Sequence, residues 1–215
     1  MYNGFMPVHD WTKTYQGAFH HLHVTWLVEI ARALNDGLLP PGYYALGEEP
    51  RYPPRPRVIA VRHRSGDRLV ALIEIVSAGN RTDPADMGSL VEKTVVTLSK
   101  RINVVSIDLH PPGPFDPRGI HNLVWTELGQ QAVDLPSEKP LQVVSYLSEG
   151  KVSSLIEPLA VGDRLPDAPL FLEGRRFVPL PLESTYMRSF DAVPRHLREE
   201  VEGSSRGPSS EPPSD

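Results

Sequence analysis

Glu74, Lys93 and Asp108 are the side chains whose types and spacing point most directly to chemistry. Glu74 interrupts the otherwise apolar run Val70-Ala71-Leu72-Ile73-Glu74-Ile75-Val76. A buried carboxylate without a partner costs several kcal/mol or gives up its charge. The position therefore calls for compensation, from solvent at a sheet edge, from an arginine, or from a bound cation. Lys93, beside Glu92, falls on the helix predicted to follow that strand, and Asp108 ends the next one. A carboxylate and a lysine meeting at strand ends can hold a divalent metal and orient a water or a phosphate. Open α/β sheets place ligands at such strand ends. On this reading Glu74 and Lys93 are the catalytic candidates, and Glu74 with Asp108 the metal ligands.

A second cluster lies near the N-terminus. His9-Asp10-Trp11-Thr12 is followed by Phe19-His20-His21-Leu22-His23. His20 and His23 share a helix face, so with His9 or Asp10 they form an alternative metal-ligand set. The competing reading is that these histidines cap and pack a helix start beside aromatic residues. No HExxH string, glycine-rich phosphate loop, GxSxG elbow or CxxC pair occurs. Arg55, Arg57, Arg62, His63, Arg64 and Arg68 form a basic stretch, read as a solvated face or a phosphate contact.

The elements that must position these residues follow from periodicity and punctuation. Phe19, Leu22, Trp26, Ile30 and Leu34 recur at helical spacing, and Gly37 is a natural left-handed stop. Strands are predicted near Tyr43–Leu46, Val58–Val61 and Leu69–Val76, the last apolar enough to be covered on both faces. Thr82 or Asp83 can cap the next helix, with Pro84 in its first turn. Its apolar stripe runs from Met87 to about Ile102, before a strand at Val104–Leu109. A strand–helix–strand unit of this kind requires parallel pairing. Beyond it the pattern predicts a short helix near Ile120–Glu127 and strands near Gln142–Leu147, Ser154–Leu159 and Phe177–Leu180. An amphipathic segment at Val193–Val201 closes the folded part. The fold class is mixed α/β, one domain over residues 1–202, with a tail from 203 to 215 too polar to order itself.

Composition narrows the classes. The 215 residues carry a net charge of −5, so nucleic acid is attracted only through a local basic patch. There is no cysteine, which excludes disulfides and thiolate metal sites and fits a reducing, cytoplasmic setting. No apolar run is long enough to span a bilayer, so no membrane association is expected. The 23 prolines, about twice average usage, imply rigid connections. Neither partners nor oligomeric state are specified by the sequence.

Several longer strings resemble one family. His9-Asp10-Trp11-Thr12, Phe19-His20-His21-Leu22-His23, Leu39-Pro40-Pro41-Gly42-Tyr43-Tyr44-Ala45-Leu46, Ser65-Gly66-Asp67-Arg68, Val70–Ser77 and Val161-Gly162-Asp163 look like domain-of-unknown-function family 4058, an uncharacterised bacterial group. More distantly, the order helix, three strands, helix, strand is similar to the core of PD-(D/E)xK restriction-endonuclease-like domains. That resemblance implies Mg²⁺-assisted phosphodiester cleavage, with Glu74 as metal ligand and Lys93, migrated to the following helix, positioning the nucleophile. Two departures stand out. The family's Pro-Asp-Val string, source of the first acid, is replaced by Arg55-Pro56-Arg57-Val58. Arginine cannot ligate Mg²⁺, which leaves Glu48 or Glu49 to take that place. The family's Ser-Pro-Gly-Asn-Lys loop reads Ser77-Ala78-Gly79-Asn80-Arg81. The expectation is a degenerate restriction-endonuclease-like core: a metal-dependent phosphodiesterase if the acids are complete, a binding or scaffold module if they are not.

Overall fold

The apolar stripe read from Phe19 to Leu34 forms α1 (Gln16–Ala33) in the computed structural model, which describes residues 8–48 and 58–203. Leu22, Trp26 and Ile30 are fully buried along it. Gly37 stops it as expected, with φ at +101° in the region glycine enters without steric cost. Asn35 has a role that periodicity does not reveal. Its carboxamide bonds both backbone groups of Ala45, at 2.8 Å each, on β1 (Tyr43–Glu48). One side chain thus stands in for a neighbouring strand and satisfies edge groups otherwise open to pairing.

β1, β2 (Val58–His63) and β3 (Arg68–Ile75) form an antiparallel meander. α2 (Pro84–Ser99) then crosses over to β4 (Asn103–Asp108), which pairs with β3 in parallel, as the strand–helix–strand reading requires. Asp83 caps α2 through the Ala85 N–H, with Pro84 in the first turn. α3 (Ile120–Glu127) leads to β5 (Leu141–Leu147) and β6 (Ser153–Leu159), both antiparallel to their neighbours. The six strands lie in chain order, and β3–β4 is the one parallel pair. A separate hairpin, β7 (Asp167–Phe171) and β8 (Phe177–Pro181), precedes α4 (Leu182–Asp191) and α5 (Arg195–Val201). Among the described residues the fold is therefore mixed α/β, with a mostly antiparallel six-stranded sheet and five α-helices.

Both faces of the sheet are covered. Ile73, Ile75, Val105 and Ile107 join a core with α1, α4 and the β7–β8 hairpin. Val76, Val104, Val144 and Tyr146 join a second core with α2 and α3. This two-sided burial explains why β3 reads as nearly continuous apolar sequence. No helix among the described residues is long and apolar enough to cross a membrane.

Some boundaries differ from the sequence reading. α2 ends at Ser99 rather than near Ile102, because Arg101 N–H returns to Leu98 and Ile102 N–H to Thr97, a Schellman stop. β7 and α4 were not expected from the sequence. Prolines 166, 169, 179 and 181 make that stretch read as loop, although Leu182, Tyr186, Met187 and Phe190 recur at helical spacing in α4. Its polar positions fold back on the helix, Thr185 Oγ1 donating to the Pro181 carbonyl and Ser189 Oγ to Thr185. The helix packs against α1, where the Trp26 indole N–H donates to Thr185 Oγ1 at 3.0 Å. Glu49, Arg55 and Arg57 and the tail beyond Gly203 lie outside the described residues.

Asn103 docks the hairpin to the sheet. Its Nδ2 donates to the carbonyls of Phe171 and Leu172, both at 3.1 Å, and its Oδ1 accepts the Ser148 N–H at 2.8 Å. Asn103→Ala is expected to lower unfolding free energy by about 2–3 kcal/mol, since it strands backbone groups in a buried place. Urea melts check this; a loss under about 0.5 kcal/mol would mean that apolar contacts alone seat the hairpin.

Candidate functional site

Alternation along the strands decides where the acids point. Val76 on the β3 side, Val104 on β4 and Val144 on β5 face α2 and α3. Glu74, Ser106, Asp108 and Gln142 are an even number of residues from these positions, so all share that face. Glu74 pairs in register with Ser106, and Asp108 with Gln142. The sheet thus presents a polar row beneath α2 and α3.

Glu74 lies on an interior strand and is buried, so the solvent-edge reading does not hold. Lys93 on α2 supplies its compensation, with Nζ 2.5 Å from Glu74 Oε1. The two catalytic candidates are therefore brought together. The Lys93 side chain remains a quarter exposed, at 25%.

Asp108 is held elsewhere. Arg81 grips both of its carboxylate oxygens, at 3.1 and 2.6 Å. The same guanidinium reaches Asp116, with Nε at 3.1 Å and Nη2 at 2.8 Å from Oδ2. All three side chains are buried, with exposures of 9% for Arg81, 2% for Asp108 and 0% for Asp116. Backbone N–H groups complete the cluster, His110 donating to Asp108 and Gly113 to Asp116. Burial pushes the Asp116 carboxyl above its ordinary pKa, although Arg81 and the Gly113 N–H pull it down. Burial also pulls Arg81 down, but Asp108 and Asp116 outweigh it and hold the guanidinium above its usual value. Gln142, beside Asp108 on β5, is buried with both carboxamide atoms lacking a partner among the described residues. Gly119 makes room for it: a Cβ there would meet Gln142 Nε2 at 2.6 Å, and φ is +80°.

Sequence reading meets Arg81 only as the last residue of the Ser77–Arg81 loop and gives it no role, and it does not reach Asp116. For Arg81 a signal existed, since parallel pairing of β3 and β4 brings the loop after β3 next to the end of β4. Asp116 sits in a proline-rich loop with no period to reveal it.

The histidine cluster is dispersed. His9 stacks on Phe190 at a centroid distance of 4.1 Å, and its Nδ1 bonds the Tyr186 hydroxyl at 2.8 Å. Trp11 Nε1–H donates to the same hydroxyl at 3.2 Å, while Asp10 caps a short 3-10 turn through Thr12. His9 and Trp11 thus seat the segment ahead of α1 on α4. His21 meets the Ala192 carbonyl, and the His20 and His23 rings are 6.5 Å apart.

The Mg²⁺ implied by the resemblance does not fit the described residues. Asp108 has both oxygens on a guanidinium, whose charge opposes a cation at that place. Glu48 is bound by Arg62 at 2.7 Å. Among the described residues no group of three histidine or carboxylate side chains is arranged to hold a metal ion. No protein-family model, curated protein or solved structure matches the chain.

Two outcomes follow. Arg81→Gln leaves Asp108 and Asp116 facing each other without a counter-charge, and is expected to destabilise the fold by about 3–5 kcal/mol in denaturant melts; a loss below about 1 kcal/mol would contradict a cluster that depends on its cation. Acidification should also destabilise. Burial lowers His9, His110 and His121 from 6.5 to about 4 in the folded chain. The unfolded chain therefore takes up protons first as pH falls through 6.5, and the stability held above that pH is lost down to about 4. Each histidine contributes up to about 1.4 kcal/mol per pH unit in that window. His121→Gln should flatten the slope by about one such contribution; an unchanged slope would show that His121 titrates alike in both states.

Proposed function

We propose that this chain is a binding or scaffold module that acts through contacts with other proteins, built on a degenerate restriction-endonuclease-like core. The element order α1, β1, β2, β3, α2, β4 supports that core, as does the parallel β3–β4 pair with Glu74 on its inner strand. The observation that carries the loss of catalysis is Arg81. Its guanidinium occupies both oxygens of Asp108 and converts a strand-end acid into a structural ion pair. A net charge of −5 favours protein over nucleic acid as the partner class.

One observation favours a second reading, a metal-dependent phosphodiesterase. Lys93 reaches Glu74 from the crossover helix, as a migrated motif lysine would. That reading needs a further acid from the stretch containing Glu49, outside the described residues.

Purified full-length protein and Glu74→Ala, incubated with Mg²⁺ or Mn²⁺ and with DNA or RNA, separate the two. The module reading expects no cleavage above the variant's background and no rise in melting temperature with Mn²⁺. A ligand at about a hundred times its Kd would add about 2.7 kcal/mol, a readily measured rise. Metal-dependent cleavage that disappears in Glu74→Ala would overturn the module reading in favour of the phosphodiesterase.

A further inference from the structure

The non-glycine residues with left-handed backbone among the described residues are Asp67 (φ +50°), Arg101 (φ +61°) and Arg175 (φ +61°), and all three flank one pocket. Arg101 lines it, Asp67 precedes the lining residue Arg68, and Arg175 follows the lining residue Gly174. The pocket has a volume of about 280 Å³. It lies at the start of β3 and β4 and the end of β5, the opposite end of the sheet from Asp108.

Asp67 and Arg175 follow Gly66 and Gly174 in the tight turns of the β2–β3 and β7–β8 hairpins, where consecutive positive φ is ordinary; at the end of a helix the same conformation is costly for a long side chain. Arg101 is that case. It occupies the position after the α2 cap where a Schellman stop ordinarily uses glycine. Keeping arginine there retains the penalty and makes arginine part of the pocket lining. The other two arginines nearby are engaged, Arg68 with Glu173 and Arg175 with Glu149. Arg101 has no ion-pair partner among the described residues. Beneath it, buried Val70 and Leu172 with half-buried Leu147 give the pocket an apolar wall.

We propose that this pocket binds a small organic anion. Its carboxylate or phosphate lies against Arg101, Arg68 and Arg175 remain on Glu173 and Glu149 and neutralise those lining carboxylates, and its apolar part covers Val70, Leu147 and Leu172. A guanidinium fork matches either oxyanion, and the apolar wall selects for a carbon body over a bare ion. The site is independent of the polar row around Glu74 and of whether that row is catalytic.

The test titrates ¹⁵N-labelled full-length protein with hexanoate, phenyl phosphate and inorganic phosphate, following the amides of Asn103, Ser148 and Gly150. Saturable shifts with hexanoate or phenyl phosphate are expected, with weaker binding of inorganic phosphate. Arg101→Gln should weaken binding about tenfold or more, the loss of a charge-assisted contact. Arg101→Gly should abolish binding while raising the melting temperature by about 2–4 °C, because it removes the backbone penalty. The proposal is overturned if neither organic anion gives saturable shifts, if inorganic phosphate binds as tightly as they do, or if Arg101→Gln binds unchanged. A lower melting temperature in Arg101→Gly would also overturn it, since Arg101 would then be serving the end of α2.

Discussion

A single guanidinium, Arg81, holds the centre of this fold. It comes from the loop after β3, grips Asp108 at the end of β4, and reaches Asp116 in the loop that leads to α3. Two carboxylates and one arginine in a nearly water-free space are tolerable only when their geometry is complete. The cation therefore fixes three chain segments relative to one another. Asp116 passes that order on, because its carbonyl accepts the N–H of Gly119, the residue that opens α3. Replacement by apolar residues of similar shape could serve stability equally well; what the charges add is that few other arrangements of these loops would be tolerated.

The rest of the polar row follows from the same constraint. The α2 and α3 face of the sheet carries Glu74, Ser106, Asp108 and Gln142 among apolar neighbours. Each acid on it has its own internal cation, Lys93 for Glu74 and Arg81 for Asp108. The two pairs differ in one respect that matters for function. Arg81 is sealed, whereas Lys93 keeps a quarter of its side chain in contact with solvent. The first pair behaves as architecture, and the second as the part of the face that a partner or ligand could still reach. On the opposite face, aromatic packing rather than charge does the corresponding work: His9 and Trp11 lock the segment ahead of α1 onto Tyr186 and Phe190 of α4.

Much of the framework was legible in the residues, and the reasons are local. α1, β3 and α2 have strong periods, and the strand–helix–strand rule made β3 and β4 parallel before any contact was known. Glu74 could be recognised as buried and in need of a partner because its neighbours are uniformly apolar. The succession of strand and helix brought Lys93 to the same place, but as a lysine positioning a nucleophile, and the ion pair was expected from an arginine. Asp108 was legible only in part. Its position at a strand end was correctly inferred, but its counter-ion lies 27 residues away in a loop, where no periodicity operates. α4 was missed for a different reason: Leu182, Tyr186, Met187 and Phe190 recur at helical spacing, but the prolines crowding its start mark the stretch as loop. The three histidines that looked like a ligand set are separated by the packing of His9 into an aromatic stack, which depends on α4 and so could not be read before it.

The most direct test of this account is a double-mutant cycle on Arg81 and Asp108, comparing Arg81→Gln, Asp108→Asn and the combined variant in denaturant melts. A structural ion pair predicts strong coupling, about 2 kcal/mol or more, with the double variant more stable than the sum of the single losses. Additive losses, agreeing within about 0.5 kcal/mol, would contradict it and return Asp108 to the pool of acids open to a metal.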